Sequence, residues 1–476
     1  MTPRTLPAKA FGLMRYISTR GTAPILDFEA VTLAGLASDG GLYVPETWPQ
    51  FSTADIAALA GLSYVETAVR VTLPFVGDAL TEAELRELLT QAYAGFGHAA
   101  VTPLVQLDHR HWLLELFHGP TLAFKDVALQ VIGGLFERFL SGRDEHLTII
   151  GATSGDTGSA AIHALAGRAN LDVFMLHPEG RVSDVQRRQM TTVMAPNIHN
   201  LAVRGNFDDC QGLVKAMFND AAFASRFHLS AVNSINWARL LFQIVYYFYT
   251  AVRLGAPERR VSFAVPTGNF GDVFAGYAAA QMGLPIGRLI VATNVNDIVA
   301  RALAHGDYSR GSVTATTTPS MDIQVSSNFE RLLFDLHGRD GVATGAAMAG
   351  FEANGRLSLD VGQRAQVATH FDAVRVDADE LALTLRWAHD RAGQVIDPHT
   401  GIGLAAARAA SGDEPVVTLA TAHPGKFRDA VERATGVRPG LPPRAQGLFD
   451  REERFDVVAN DLAEVEAFIA ARATPR

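Results

Sequence analysis

The pattern that most constrains this chain is the succession of short apolar runs and helix-like segments that begins near residue 100. Five apolar runs have the length of buried strands, and each precedes a segment with helical spacing: residues 147–151, 173–177, 261–265, 288–293 and 415–420. Strands that alternate with helices favour largely parallel sheets covered by helices on both faces. The predicted fold class is α/β, with ligands at the carboxyl ends of the strands.

The segment before residue 98 has a different pattern. It mixes a turn cluster at 38–41 with helix-like stretches at 54–62 and 81–96. The 476 residues are too many for one compact unit and enough for two or three domains that share a large core.

Charge and cysteine content limit the class of protein and its compartment. The net charge of −9 disfavours binding to nucleic acid or to an anionic membrane, while a small anionic substrate remains possible. A single cysteine, Cys210, excludes an intramolecular disulfide and favours a reducing cytoplasm.

Three further patterns concern targeting, membranes and metals. Residues 1–13 lack the apolar run of a signal peptide, and either Met1 or Met14 could be the start. The most apolar run, residues 240–252, is too short to span a bilayer and is typical of a buried helix. No metal-binding pattern is present, so no metal is expected.

The stretch HGPTLAFKD, residues 118–126, places a lysine where a helix is predicted to begin. Apolar residues then follow with helical spacing: Ala128, Val131, Ile132, Leu135, Phe136 and Phe139. The helix dipole and apolar surroundings both lower the pKa of an ammonium group, and the neutral amine of Lys125 would be a nucleophile. Alternatively, Lys125 is a first-turn lysine that covers the core with its stem and reaches water.

The turn TSGDTG, residues 153–158, follows a predicted strand. Its glycines allow close backbone approach, and Thr153, Ser154 and Thr157 offer hydroxyls at a helix start. The turn fits either a cradle for an anion or carboxylate or an ordinary capped helix start. It matches neither the P-loop nor the GxGxxG fingerprint of nucleotide sites.

The turn PTGNFGD, residues 266–272, also follows a predicted strand and can aim backbone N–H groups at a phosphate. A similar segment, GNFDDCQ at 205–211, carries Asp208 and Asp209 where the other turn has Gly271. Because two carboxylates repel a phosphate, we expect the phosphate at residues 268–271 and helix capping at 205–211.

Two polar groups complete the candidate set. Thr421 follows the strand at 415–420, where its hydroxyl could hold a ring or simply cap a helix. In NSINWAR, Arg239 offers a planar fork for a phosphate, and Asn233 and Ser234 add neutral donors. Arg239 could equally be a surface arginine after a buried tryptophan.

Three features together suggest pyridoxal 5′-phosphate (PLP), whose ring is an electron sink: a buried lysine with a neutral amine, a turn that can bind a phosphate, and a hydroxyl that can hold a ring. With these segments in view, the chain resembles the threonine synthases over nearly its whole length, particularly the longer bacterial and fungal branch. Ten segments in order carry the resemblance: 16–21, 35–46, 118–130, 153–161, 205–211, 233–240, 266–272, 319–331, 397–403 and 421–427.

The resemblance implies the tryptophan-synthase-β type of PLP fold. That fold has two α/β domains with largely parallel sheets, here preceded by a mainly helical N-terminal domain. The implied bounds are 1–98 for the N-terminal domain, 99–127 with 255–476 for the large PLP-binding domain, and 128–254 for the small domain.

The resemblance also implies a role for each candidate residue. Lys125 would be the Schiff-base lysine and proton shuttle, and Thr421 would bond the pyridine nitrogen and leave it largely unprotonated. The cofactor phosphate would lie on Gly268, Asn269, Phe270 and Gly271, with Asp272 capping the helix. The substrate would be O-phospho-L-homoserine, its carboxylate or phosphate bordered by Ser154, Asp156 and Thr157 and its phosphate bound by Asn233, Ser234 and Arg239.

The implied enzyme is a PLP-dependent carbon–oxygen lyase that converts O-phospho-L-homoserine and water to L-threonine and phosphate by γ-elimination and β-addition. It would catalyse the last step of threonine biosynthesis in the cytoplasm, as a monomer or homodimer. Two alternatives stay open. One is a threonine-synthase-like phospholyase that releases 2-oxobutyrate, and the other is a nucleotide-binding protein without PLP, which the missing fingerprints disfavour.

Overall fold

The N-terminal part of the chain is mainly helical, as expected. The computed structural model describes residues 14–475 except 142 and 144, so the prediction that residues 1–13 contain no signal peptide lies outside the described residues. Two short strands pair antiparallel here, β1 with β2. The elements are β1 (Tyr16–Ser18), α1 (Phe28–Ala34), β2 (Tyr43–Pro45), α2 (Thr53–Ala57), α3 (Tyr64–Val76) and α4 (Glu82–Tyr93).

The next part of the chain alternates strands and helices. Its elements are β3 (Leu104–Gln106), β4 (His111–Glu115), α5 (Lys125–Leu140), β5 (Leu147–Ala152), α6 (Asp156–Leu165), β6 (Leu171–Pro178), α7 (Asp184–Thr191), β7 (Ile198–Val203), α8 (Phe207–Asn219), α9 (Ala221–Arg226), β8 (Leu229–Ser230) and α10 (Trp237–Arg253).

The alternation continues to the end of the described chain. Its elements are β9 (Val261–Pro266), α11 (Gly271–Gln281), β10 (Ile286–Thr293), α12 (Ile298–His305), β11 (Asp307–Ser309), α13 (Phe329–Leu336), α14 (Gly341–Asn354), β12 (Arg356–Ser358), α15 (Val361–His370), β13 (Phe371–Arg375), α16 (Ala378–Ala392), α17 (Pro398–Ala409), β14 (Val416–Ala420), α18 (Arg428–Thr435), β15 (Asp456–Val458) and α19 (Leu462–Ala470). All five runs predicted as strands form strands, because each is apolar on both faces and buried between helices.

Two largely parallel sheets organise the molecule. The larger has six strands in the order β13-β10-β9-β14-β4-β3, all parallel except the edge strand β3. The smaller has five parallel strands in the order β15-β7-β6-β5-β8. The predicted α/β class with two parallel-sheet units and a helical N-terminal region is therefore confirmed.

The end of the chain differs from the expected division into domains. We expected residues 255–476 to form one unit with 99–127, yet β15 pairs in parallel with β7 in the five-stranded sheet, and α19 packs against α8. A three-residue edge strand carries no sequence signal that identifies its partner. The remaining bounds, 1–98, 99–127 and 128–254, stay a prediction.

The apolar run at residues 240–252 lies inside α10, and every residue of that run is buried. The helix packs against α3, α5 and α11, which explains why this run of it is almost entirely apolar. Within the described residues, no helix has the length and apolar character needed to cross a membrane.

The three turns singled out from the sequence all follow parallel strands. TSGDTG follows β5 of the smaller sheet, PTGNFGD spans the end of β9, and Thr421 follows β14. Because β9 and β14 are neighbours in the larger sheet, the second turn and Thr421 lie side by side at its carboxyl edge.

Candidate active site

Lys125 is the first residue of α5, and the chain just before it lies beside Thr421. Ala123 and Ala422 form an antiparallel bridge, and the N–H of Phe124 donates to the carbonyl of Thr421 at 2.8 Å. This backbone pairing fixes the lysine next to the carboxyl end of β14. Two residues predicted separately from the sequence therefore belong to one site.

The amine of Lys125 is buried, with 7% of the residue exposed. Its Nζ lies 3.4 Å from Oδ2 of Asp156 and 4.7 Å from the centre of the Phe124 ring. Burial lowers the pKa of Lys125, the charges of Arg239 and Lys426 lower it further, and Asp156 opposes them without reversing the direction. The amine is thus held closer to its neutral form, and the alternative of a lysine that reaches water does not fit.

The hydroxyl of Thr421 is free for a ligand. Thr421 is buried directly after β14, and its side chain makes no hydrogen bond with any described residue. The cap of the following turn, Pro424–Lys426, is His423, whose side chain accepts from the N–H of Gly425 at 3.0 Å. The alternative of a capping role for Thr421 is therefore wrong.

The TSGDTG turn combines an ordered backbone with two free hydroxyls. The Thr153 hydroxyl accepts from the N–H groups of Gly155 and Gly158, each at 2.9 Å. Gly155 has φ of 137°, a conformation that side chains strongly disfavour. The half-buried side chains of Ser154 and Thr157 make no hydrogen bond with the described residues, so both can donate to an anion.

Asp156 is the first residue of α6, and its carboxylate is already surrounded by donors. Oδ1 lies 2.7 Å from Nζ of Lys426 and accepts from Nε2 of Gln186 at 2.7 Å, while Oδ2 faces Lys125. Burial raises the pKa of Asp156, but the two ammonium groups and the Gln186 amide outweigh it and hold the pKa far below its usual range. Asp156 is therefore an anion bridging two lysines.

The glycine turn after β9 has the form of a phosphate cradle. Phe270 has φ of 62°, in the left-handed region, immediately before α11 begins at Gly271. A side chain at Gly268 would place its Cβ 2.5 Å from the carbonyl oxygen of Ser320. The N–H groups of residues 268–271, including that of Asn269, donate to no described residue. Free donors at a helix start suit a phosphate.

Asp272 does not cap α11, contrary to the expectation. Its Oδ1 accepts from the hydroxyl of Tyr246, and the hydroxyl of Tyr247 donates to the Asp272 carbonyl at 2.9 Å. The N-cap position belongs to Phe270, which makes no side-chain cap. Burial raises the pKa of Asp272 to about 6 against the opposing hydrogen bonds. The capping role came from the resemblance, and the contacts of Asp272 with two tyrosines of α10 cannot be predicted from the local sequence.

The similar segment at 205–211 starts a helix, as predicted. The side chain of Asn206 accepts from the N–H of Asp209 at 3.0 Å, and the Asp209 carboxylate accepts from the N–H of Asn206 at 2.7 Å. This reciprocal capping box occupies the donors at the start of α8. The predicted capping role is confirmed.

Arg239 lies in the first turn of α10 and is 4% exposed, so it is not a surface arginine. Its guanidinium forms no ion pair with a described residue, and its Nη1 is buried without a hydrogen-bond partner. Burial lowers its pKa to about 10, while Tyr246 and Asp272 oppose that change. A buried guanidinium without a partner is costly, so this site is suited to an anionic ligand.

The segment before α10 is joined to the glycine turn by hydrogen bonds. The Ser234 hydroxyl lies 3.3 Å from that of Ser327, which donates to Oδ1 of Asn269 at 3.4 Å. The amide of Asn328 donates to the carbonyls of Ser234 and Asn269 at 3.0 and 2.9 Å. The side chain of Asn233 accepts from the backbone two residues further on at 3.0 Å. The two predicted phosphate-binding segments therefore lie next to each other.

Three residues of this neighbourhood were not predicted as site residues: Gln186, Asn328 and Lys426. Asn328 and Lys426 lie in segments that carry the resemblance, 319–331 and 421–427, but their roles depend on partners far away in the chain. Gln186 lies in the first turn of α7 and offered no sequence signal beyond its helix.

Sequence models of known families match nearly the whole chain. Residues 15–93 match the threonine synthase N terminus, residues 96–422 match the pyridoxal-phosphate dependent enzymes, and residues 400–469 match the threonine synthase C-terminal region.

Individual relatives agree with these matches. A threonine synthase from Pseudomonas aeruginosa is 54% identical over 96% of this chain and 98% of its own length, and one from Saccharomyces cerevisiae is 42% identical over 88% of each. The crystal structure of a PLP-bound threonine synthase from Brucella melitensis is 53% identical and superposes with a TM-score of 0.94 over 97% of this chain and 99% of its own. The chain belongs to the threonine synthase family of PLP-dependent enzymes.

Proposed function

We propose that this protein converts O-phospho-L-homoserine and water to L-threonine and phosphate, the last step of threonine biosynthesis. The observation that carries the proposal is the buried amine of Lys125 beside a buried, unpaired guanidinium, that of Arg239. The first group suits covalent attachment of a carbonyl cofactor, and the second suits a substrate phosphate. The threonine synthases among the relatives support this substrate.

The residues present fit PLP at three points. The free N–H groups of Gly268, Asn269, Phe270 and Gly271 would hold its phosphate, the unpartnered hydroxyl of Thr421 would bond its ring nitrogen, and Lys125 would attach its carbonyl carbon. When bound, PLP supplies an electron sink for negative charge at the substrate carbons. Asp272 lies in the first turn of α11 and would contribute through its tyrosine partners, not through a cap.

The substrate would be held by groups with unused donors. Arg239 would take two oxygens of the phosphate in its planar fork, with Asn233 and Ser234 beside it. Ser154 and Thr157 would donate to the carboxylate, since Asp156 is occupied by lysines and repels an anion. This arrangement orients the substrate between the two sheets' turns.

Lys125 would move the protons of the reaction. Because its pKa is lowered, the amine could accept the proton of the α-carbon. Because the amine is buried, that proton could be returned to the substrate without exchanging with solvent water. The hydroxyl of Thr421 would donate a hydrogen bond to the ring nitrogen and carries no negative charge to stabilise its protonated form, so that nitrogen would stay largely unprotonated. We further propose a cytoplasmic monomer or homodimer that acts on this small substrate alone.

One assay tests the reaction directly. The absorption spectrum of the purified protein is recorded, the protein is incubated with O-phospho-L-homoserine, and L-threonine, 2-oxobutyrate and phosphate are measured together. We expect threonine and phosphate in equal amounts. Phosphate with equal 2-oxobutyrate would identify the phospholyase instead, and a colourless protein without turnover would refute the PLP assignment.

A further inference from the structure

Lys426 is a second buried ammonium group beside Lys125. It is 2% exposed, and its Nζ lies 2.7 Å from Oδ1 of Asp156 and donates to the carbonyl of Thr121 at 2.7 Å. Only four of the 41 Lys and Arg residues in the chain are lysines, so two of those four lie in this site. A compact amine is therefore used here in a protein that elsewhere relies on arginine.

The carboxylate of Asp156 lies between the two amines. It is 3.4 Å from Nζ of Lys125 and 2.7 Å from Nζ of Lys426. A buried carboxylate without a partner favours the charged form of its neighbour Lys125, since an opposite charge within about 4–6 Å raises the pKa of an amine by about 1–3 units. A charged Lys125 could neither attack a carbonyl nor accept a proton.

The charge of Lys426 cancels that effect. The pair of Asp156 and Lys426 is neutral overall, so Lys125 gains little from keeping its own proton. The other charged groups that act on Lys125 come from α10 and α11: Arg239, which disfavours the charged form, and Asp272, whose carboxyl pKa burial raises to about 6. Neither contacts Asp156, so neither replaces Lys426.

The position of Lys426 is fixed by the surrounding chain. It ends the turn Pro424–Lys426, which begins three residues after Thr421, and the Thr121 carbonyl that it contacts also accepts from Nε2 of Gln189 at 2.9 Å. The charge of Lys426 also reaches Asp126 and His163. Burial raises the pKa of Asp126 to about 6 and Lys426 opposes that rise, whereas burial lowers the pKa of His163 to about 4 and Lys426 lowers it further. The ammonium is thus held at Oδ1 of Asp156, while Lys125 faces Oδ2.

We propose that Lys426 is a positioning residue that neutralises Asp156 and so allows the amine of Lys125 to give up its proton. The inference rests on the proposed function only in that Lys125 must hold PLP. Lys426 itself is assigned no contact with substrate or cofactor.

The test is a pH titration of the visible absorption band of the yellow holoenzyme, which needs no substrate. The band reports the protonation of the Lys125 nitrogen while it is joined to PLP, and the charges of Asp156 and Lys426 would act on that nitrogen as they act on the amine. In Lys426→Met the unbalanced Asp156 stabilises the protonated form, so the midpoint moves to higher pH by about 1–2 units. The acidic limb of kcat/KM moves in the same direction. Lys215→Met, the same change on the exposed face of α8, leaves the midpoint unchanged.

Two further variants separate charge from structure. Asp156→Asn leaves the charge of Lys426 unbalanced, so its midpoint moves to lower pH; this result is available even if Lys426→Met does not fold. The double variant Lys426→Met with Asp156→Asn removes both charges and returns the midpoint towards that of the wild type. A merely structural Lys426 gives no such opposite shifts.

An unchanged midpoint in Lys426→Met, or shifts of the same sign in both single variants, would overturn the inference. That outcome differs from failure of the proposed function. A wild-type protein that is yellow and titrates but makes no threonine refutes the substrate alone, and a wild-type protein without a yellow band refutes the role of Lys125 as well.

Discussion

Among single side chains, Arg239 offers the sharpest test of the substrate site, because its buried guanidinium makes no ion pair or hydrogen bond with a described residue. We expect Arg239→Ala to keep the yellow cofactor and the fold while kcat/KM for O-phospho-L-homoserine falls roughly 30- to 1000-fold, the equivalent of about 2–4 kcal/mol for a lost charge-assisted pair. Steady-state kinetics with absorption spectra measure both properties.

The controls for Arg239 come from the same helix. Arg239→Lys should recover only part of the activity, because a point charge cannot reproduce a two-pronged contact. Arg253→Ala, at the exposed end of α10, should behave like the wild type. If Arg239→Ala turned over at the wild-type rate, the substrate phosphate would have to bind elsewhere.

At the scale of residues, the sequence predicted the roles of side chains whose neighbours in space are also near them in the chain. Lys125 could be singled out because the apolar spacing that buries it lies on its own helix. Asp272 was assigned wrongly as a cap and Lys426 was not singled out at all. The partners of these two residues, Tyr246 for one and Asp156 for the other, come from distant elements. Periodicity and spacing carry no information about such contacts.

At the scale of elements, the two similar turns differ in whether their donors are used. We expect Gly271→Asp to abolish retention of the cofactor, because a carboxylate would stand at the free N–H groups that receive the phosphate, with its Cβ 3.2 Å from Nδ2 of Asn328. The measurement is the absorption of the purified protein per chain.

Two variants on α8 serve as the comparison. Gly212→Asp is the same substitution at an exposed position with nothing within 4 Å of the added Cβ, so it should stay yellow. Asn206→Ala removes the capping box and should cost about 1 kcal/mol of unfolding free energy without loss of cofactor. A colourless Asn206→Ala beside a yellow Gly271→Asp would reverse the assignment of the two turns.

Strands and helices were predictable to different extents. The five buried strands were identified because each is a continuous apolar run between turn residues. The helix predicted at 54–62 is shorter, Thr53–Ala57: its capping box fixes the start, and the chain then turns towards Gly61, which has φ of 77°. The three-residue strand β15 escaped prediction since its edge position leaves two of its residues exposed.

At the scale of the whole molecule, one buried arginine, Arg331, connects the N-terminal part to the candidate active site by hydrogen bonds. Arg331 is fully buried, and it donates to the carbonyl of Tyr43 in β2 at 3.0 Å and to that of Ile235 at 2.6 Å. It also donates to the side chain of Asn328, which holds the two phosphate-binding segments together. Burial lowers the pKa of Arg331 to about 9. The sequence alone gave no sign of this connection.

We therefore expect Arg331→Met to lower the unfolding free energy of the whole molecule and to release the cofactor at a correspondingly lower urea concentration. Three hydrogen bonds from a charged donor are lost and three buried acceptors lose a partner, while relief of the buried charge offsets part of that loss, so the net cost should be about 2–4 kcal/mol. Urea unfolding followed by the fluorescence of the chain and by the absorption of PLP should show both midpoints falling together. Arg438→Met, an exposed arginine in a surface ion pair, should leave both midpoints unchanged. If the cofactor midpoint stayed at its wild-type value while the chain unfolded earlier, the N-terminal part would be stabilising only itself, and Arg331 would not connect it to the site.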